Sequence, residues 1–152
     1  MPRFLHVGCG HKRKHQTLKV FNRPEWEEVT LDIDESVKPD IVDKLPELAK
    51  VESDSFDAVY SSHSIEHLYP HEVPVALKAF YRVLNDNGVV IIRCPDLQAI
   101  GESLAAGKSI RRFISAQQAP SQPLICYMAS GPRCGQEIST WRIIQGLQAS
   151  RC

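Results

Sequence analysis

Residues 4–10 read FLHVGCG. An apolar run of Phe4, Leu5 and Val7 stops at Gly8-Cys9-Gly10, as a buried strand does when it enters a tight turn. Glycine tolerates a positive φ and has no Cβ, so the backbone can turn sharply there and a ligand can approach it closely. After the first strand of an α/β sheet, such a turn is where nucleotide-like cofactors bind. Taken alone, the stretch reads as a plain joint between strand and turn. The third glycine of the dinucleotide fingerprint is missing, and His11-Lys12-Arg13-Lys14 stands where a helix would begin.

Outward from this strand, residues 11–24 are basic and lack helical periodicity, which predicts a long loop ending at Arg23-Pro24. Residues 28–33 (EVTLDI) predict a second strand, 39–43 (PDIVD) a short edge strand and 56–61 (FDAVYS) a fourth. Residues 72–84 (EVPVALKAFYRVL) predict a helix whose apolar face is Val73, Leu77, Phe80 and Leu84. Asn85-Asp86-Asn87-Gly88 stops it, with Gly88 suited to a left-handed conformation. Residues 88–93 (GVVIIR) are continuously apolar and β-branched, which marks a strand covered on both faces. Strands alternating with crossovers predict an α/β, Rossmann-like, mainly parallel sheet with flanking helices.

Beyond Asp96, residues 97–106 predict one more helix, and past Lys108 the periodicity dissolves. The charge changes there as well. Residues 1–100 hold 12 Lys/Arg and 16 Asp/Glu, whereas 101–152 hold 6 and 2. The expected organisation is therefore a cofactor-binding domain over 1–108 and an irregular tail over 109–152, with the C-terminal strands missing or irregular. At 152 residues and 43% hydrophobic content the chain can bury a real core. The formal net charge of zero points to neither nucleic acid nor an anionic membrane as a bulk partner. Five cysteines with no CxxC spacing support neither a disulfide framework nor a zinc knuckle. The chain enters its first strand almost at once and has no long apolar stretch, so the expectation is a cytoplasmic protein without a targeting segment or membrane span.

Several groups converge on the carboxyl ends of the expected strands, where parallel sheets bind ligands. Gly8, Cys9 and Gly10 follow the first strand, Asp32 ends the second, Asp43 follows the third, and Ser61, Ser62 and His63 follow the fourth. A carboxylate at the end of strand two can accept both hydroxyls of a ribose diol. His63, His67 and Asp96 are the available bases at this edge, and Asp96 equally suits the cap of the next helix. Residues 63–67 also fit H-x-x-E-H, the inverted zinc-peptidase motif, in which Glu66 would be the base. Against that reading, the motif follows a strand directly and Pro70 limits the helix, so no metal is assigned. The basic run 12–15 can meet an anionic substrate or remain solvated.

At this point residues 4–100 resemble the class I S-adenosylmethionine-dependent methyltransferases, in particular the methyltransferase-type-11-like group. The likeness lies in several blocks in order: LHVGCG at 5–10, LDID at 31–34, FDAVYSSHSIEHL at 56–68 and FYRVLNDNGVVIIRCPDL at 80–97. The resemblance implies that Gly8 and Gly10 contact the methionyl part of S-adenosylmethionine and that Asp32 holds the ribose. It further implies that Asp43, or Glu47 in another register, lies near the adenine, and that Ser62 and His63 close the pocket. Three features depart from the pattern. His6 stands where relatives carry an acid, the first helix is eroded to a loop, and Asp86-Asn87-Gly88 replaces Pro-Gly-Gly.

The activity implied is in-line methyl transfer from a sulfonium to an unidentified acceptor, with a base needed only if the acceptor must lose a proton. A non-catalytic cofactor-binding or interaction protein is the alternative, and a zinc peptidase is a third. Relatives continue with stretches resembling YIS-AGPI and MLYG. Residues 113–121 (FISAQQAPS) and 125–129 (ICYMA) resemble those stretches in a shifted reading frame. An out-of-frame translation from about Ser109 is therefore expected, with activity altered or lost through the changed tail.

Overall fold

Five segments that the apolar pattern marks as strands or strand ends lie side by side in one parallel sheet. They are β1 (Arg3–Val7), β2 (Glu27–Asp32), β3 (Ile41–Val42), β4 (Phe56–Ser62) and β5 (Leu84–Arg93). The computed structural model describes residues 1–95, residues 101, 105 and 106, and the strand backbone of 125–127 and 142–144. The order across the sheet is β3-β2-β1-β4-β5, so the chain reverses its direction of growth between β1 and β4. That reversal opens a crevice at the carboxyl ends of these two strands.

The register explains the near-continuous hydrophobicity of the strands. Leu5 pairs with Val29 and Val59, and Val59 pairs with Val90, so these side chains form one inner face with Val7, Leu31 and Ile92. Helix α1 (Val73–Val83) covers that face together with Leu48 and Val51 from the β3–β4 connection. The opposite face carries Phe4, Ala58, Tyr60 and Ile91. Its cover is the loop over residues 11–26, which contains one short 3-10 turn (Lys14–Gln16) and no α-helix, as the sequence predicted. Phe21 fastens this loop: its ring stacks on Phe4 at 4.3 Å and meets Trp26 edge-on at 5.1 Å. A buried aromatic of this kind stabilises by about 3–5 kcal/mol relative to alanine.

Helix α1 occupies nearly its predicted span. Ala76, Ala79, Phe80 and Val83 point inward, while Val73 and Leu77 are only half-buried. Phe80 of the expected stripe is fully buried and Leu77 packs against the core, with Ala76 and Ala79 buried beside them. Arg82 in its last turn donates to the carbonyls of Val51 and Leu48, both at 2.7 Å, and clamps the β3–β4 connection. Leu84 belongs to β5, where it pairs with Phe56.

Residues 85–88 therefore form an irregularity inside β5, between the Phe56–Leu84 and Ala58–Val89 pairs, instead of a separate turn. The left-handed residue is Asn87 (φ 65), not Gly88. Gly88 is crowded for a different reason: a Cβ there would lie 2.9 Å from a Leu84 methyl carbon and 3.0 Å from the Asn85 carbonyl oxygen. In the tail, β6 (Ile125–Tyr127) and β7 (Arg142–Ile144) pair antiparallel in a second, two-stranded sheet, where the sequence suggested no element. Of the helix expected over 97–106, only residues 101, 105 and 106 are described. Most of the tail expected to be out of frame lies outside the described residues.

Candidate functional site

The glycine turn is stitched to the end of β2. The amides of Gly8 and Cys9 both donate to the Leu31 carbonyl, at 2.9 and 3.2 Å. The Gly10 amide then donates to Asp32 Oδ2 at 2.7 Å, and Asp32 Oδ1 accepts from the Asp34 amide at 3.0 Å. Sequence reasoning brought the turn and this carboxylate to the same edge, and the structure puts them in direct contact.

Gly8 (φ 65) and Gly10 (φ 51) both lie in the left-handed region, but they are needed for different reasons. A Cβ on Gly8 would collide with Ser64 Oγ, whereas a Cβ on Gly10 would meet nothing within 4 Å. Ser64 itself bonds back to this neighbourhood, to the Val7 carbonyl at 3.5 Å and the Ser62 carbonyl at 3.3 Å. The first glycine thus seals β1 against the β4 loop, and the second leaves open space beside a carboxylate. Each Asp32 oxygen has accepted one hydrogen bond and keeps a further lone pair. A vicinal diol can be held there, so the residues fit the ribose of an adenosyl cofactor.

Across the crevice, β4 ends at Ser62, and His63 follows in a left-handed conformation (φ 57) that is costly for a residue with a Cβ. The His63 amide is held by the Arg93 carbonyl at 2.9 Å, and its ring Nδ1 lies 3.3 Å from Glu66 Oε1. The imidazole is 38% exposed, so it is oriented and also reachable. His67 is exposed at the end of a single 3-10 turn (Ile65–His67). The H-x-x-E-H stretch consequently lacks the α-helix on which an inverted zinc-peptidase site depends. Among the described residues, no three His, Cys, Asp or Glu side chains are grouped to hold a metal.

Two further expected site residues are placed differently from a simple ligand contact. Asp43 spends both carboxylate oxygens on the backbone, accepting from the amides of Lys44 at 2.8 Å and Lys50 at 2.7 Å. Cys9 is buried, with its thiol 3.4 Å from the Gly10 carbonyl. Burial pushes that thiol's pKa up, with Asp32 and Glu28 acting in the same direction against Arg13. Asp96 lies outside the described residues.

The sequence concealed two supports of the site. His6, in the position expected of an acid, is buried on β1 and pairs through Nδ1 with Glu28 Oε1 at 2.8 Å; Glu28 Oε2 accepts from the Lys14 amide at 2.7 Å. Arg13 and Lys14 turn onto carbonyls instead of standing free as an anion-binding run. Only the unbroken basic run hinted at this, and a basic run is normally solvated surface.

A parallel α/β sheet with a glycine turn at its reversal point and a carboxylate ending the second strand defines a nucleotide-cofactor-binding class of domain. Residues 5–92 match the family described as Methyltransferase domain, and the chain belongs to that family. Solved structures agree in fold. A protein from Pyrococcus horikoshii OT3 is 26% identical with a TM-score of 0.53, the match covering 70% of this chain and 53% of that one. A SAM-dependent methyltransferase from Archaeoglobus fulgidus is 22% identical with a TM-score of 0.53, over 79% of this chain and 52% of that one. A Methanococcus maripaludis protein is 15% identical with a TM-score of 0.52, over 77% and 58%. The chain thus spans little more than half the length of these structures. Among curated proteins, no match was found.

Proposed function

We propose that this chain binds S-adenosylmethionine at the carboxyl edge of β1, β2 and β4 and transfers its methyl group to a nucleophilic acceptor. The observation that carries the reading is the Asp32 carboxylate bonded to the Gly10 amide, beside open space at Gly10. Bound there, the cofactor would supply an electrophilic methyl on a sulfonium. Asp32 accepts the ribose hydroxyls, and the Gly8–Gly10 backbone lines the approach. His63 would move the proton, a role supported by its exposed ring. With Nδ1 facing Glu66 Oε1 at 3.3 Å, Nε2 is the ring atom left to accept a proton. His67 is exposed and pairs with no carboxylate among the described residues, so His63 is the better candidate base.

The test is transfer of tritium from methyl-labelled S-adenosylmethionine to a panel of small hydroxyl, thiol and amine acceptors. Label is expected in at least one acceptor that must lose a proton. His63→Ala should then slow transfer by about a hundredfold or more, the usual scale of general-base catalysis, a larger loss than any change in cofactor affinity. Binding without transfer to any acceptor would instead favour a cofactor-binding protein without catalytic activity.

A further inference from the structure

The loop over residues 11–26 does work that a helix would otherwise do, and Arg13 sits at its root. Its guanidinium donates through Nη1 to the Gly10 carbonyl at 3.1 Å and to the Lys12 carbonyl at 2.8 Å. Through Nη2 it donates to the Val37 carbonyl at 2.9 Å, 24 residues away in sequence. Val37 ends the short 3-10 turn (Glu35–Val37) that follows β2. One planar fork therefore ties the turn after β1 to the turn after β2. Between these turns lies Asp32, which already holds the Gly10 amide and the Asp34 amide. Gly10 is pinned on both sides, its N–H on Asp32 and its C=O on Arg13.

We propose that Arg13 is a positioning residue: by bridging the Gly10 and Val37 carbonyls it sets the separation of the two turns that flank the Asp32 carboxylate. A glycine at positive φ has little conformational preference of its own, so the direction of its peptide groups depends on what they bond to. Removing the guanidinium leaves the Gly10 carbonyl with the Cys9 thiol alone, at 3.4 Å, and weakens the hold on the Gly10 amide. A lysine keeps the charge but, as a point donor on a flexible stem, cannot span both carbonyls in a fixed geometry. The loop itself does not depend on Arg13. It is separately fastened by Phe21 against Phe4 and by the Lys14 amide on Glu28, whose other oxygen meets buried His6. The claimed effect on cofactor affinity rests on the methyl-transfer reading; the claimed effect on Gly10 does not.

The test compares wild type, Arg13→Lys and Arg13→Ala by hydrogen exchange of the Gly10 amide in NMR and by calorimetric titration with S-adenosylhomocysteine. Loss of a charge-assisted bond predicts Gly10 exchange faster by about tenfold or more in both variants, with Phe21 and Trp26 amides exchanging as in wild type. Affinity for S-adenosylhomocysteine should fall by about tenfold in both, since lysine does not restore the bridge. Unchanged Gly10 exchange in either variant would overturn the proposal, as would full recovery of exchange and affinity with lysine. If wild type bound no S-adenosylhomocysteine, the methyl-transfer reading would fall, and Gly10 exchange would still decide the role of Arg13.

Discussion

Gly8 and Gly10 are two residues apart and share a left-handed backbone, yet the structure assigns them unequal tolerance. At Gly10 an added methyl group has room, so alanine incurs only the backbone cost of about 1–2 kcal/mol. At Gly8 the same backbone cost is joined by collision with the Ser64 hydroxyl, in a place where β1 and the β4 loop must close. Gly8→Ala should therefore destabilise by more than about 3 kcal/mol, adding packing strain to the backbone penalty. Ser64→Gly in the same chain should recover part of the loss, and should recover nothing for Gly10→Ala. Urea melts of the five proteins check this. The positive φ of Gly8 and Gly10 was foreseeable from FLHVGCG; the partner of Gly8 was not, because Ser64 is 56 residues away and reads locally as one serine among several.

At the scale of elements, the clasp between β2 and the segment entering β3 makes a pH-dependent contribution. Asp40 Oδ2 accepts from the Thr30 amide at 2.8 Å and from the Thr30 hydroxyl at 2.6 Å. Partial burial pushes the Asp40 carboxyl's pKa up, but the Thr30 bonds and nearby Arg13 outweigh it and hold the carboxyl below its ordinary range. A carboxyl held low in the folded state stabilises above its ordinary, unfolded pKa, and that contribution is lost as the pH falls through the lowered value. Asp40→Asn should thus cost about 1 kcal/mol at pH 7, a figure discounted because Asp40 is largely exposed. The difference in melting midpoint from wild type should shrink as the pH is lowered through the acid range. A difference that stays constant with pH would contradict the assignment.

Elements were legible where one physical cause dominated. The β-branched run of β5 and the apolar segments of β1 and β4 are buried on both faces, and burial alone writes such sequences. Helix α1 is legible from its period, and Phe80 and Leu84 of its expected face are fully buried, while Ala76 and Ala79 join that face without standing out in the apolar pattern. The start of β5 was hidden by Asn85-Asp86-Asn87-Gly88, which has the composition of a turn and is accommodated as an irregularity within the strand. The structural duties of Asp43 and Arg13 were also hidden. Both depend on which backbone groups come near in space, and no local pattern reports that.

For the molecule as a whole, the sheet order β3-β2-β1-β4-β5 turns dispersed residues into a site. Asp32 ends β2, the glycine turn follows β1 and His63 follows β4, and they share one edge because β1 lies between β2 and β4. Family membership covers residues 5–92, which are the residues that build this edge. No helix among the described residues is long and apolar enough to cross a membrane. We propose that the edge holds an adenosyl cofactor through Asp32. The most direct measurement is calorimetric titration of the full chain, wild type and Asp32→Ala, with S-adenosylmethionine. Wild type should bind one equivalent, and Asp32→Ala should bind at least about tenfold more weakly through loss of charge-assisted hydrogen bonds to the ribose. No binding by the folded wild type, or equal binding by both, would contradict the account.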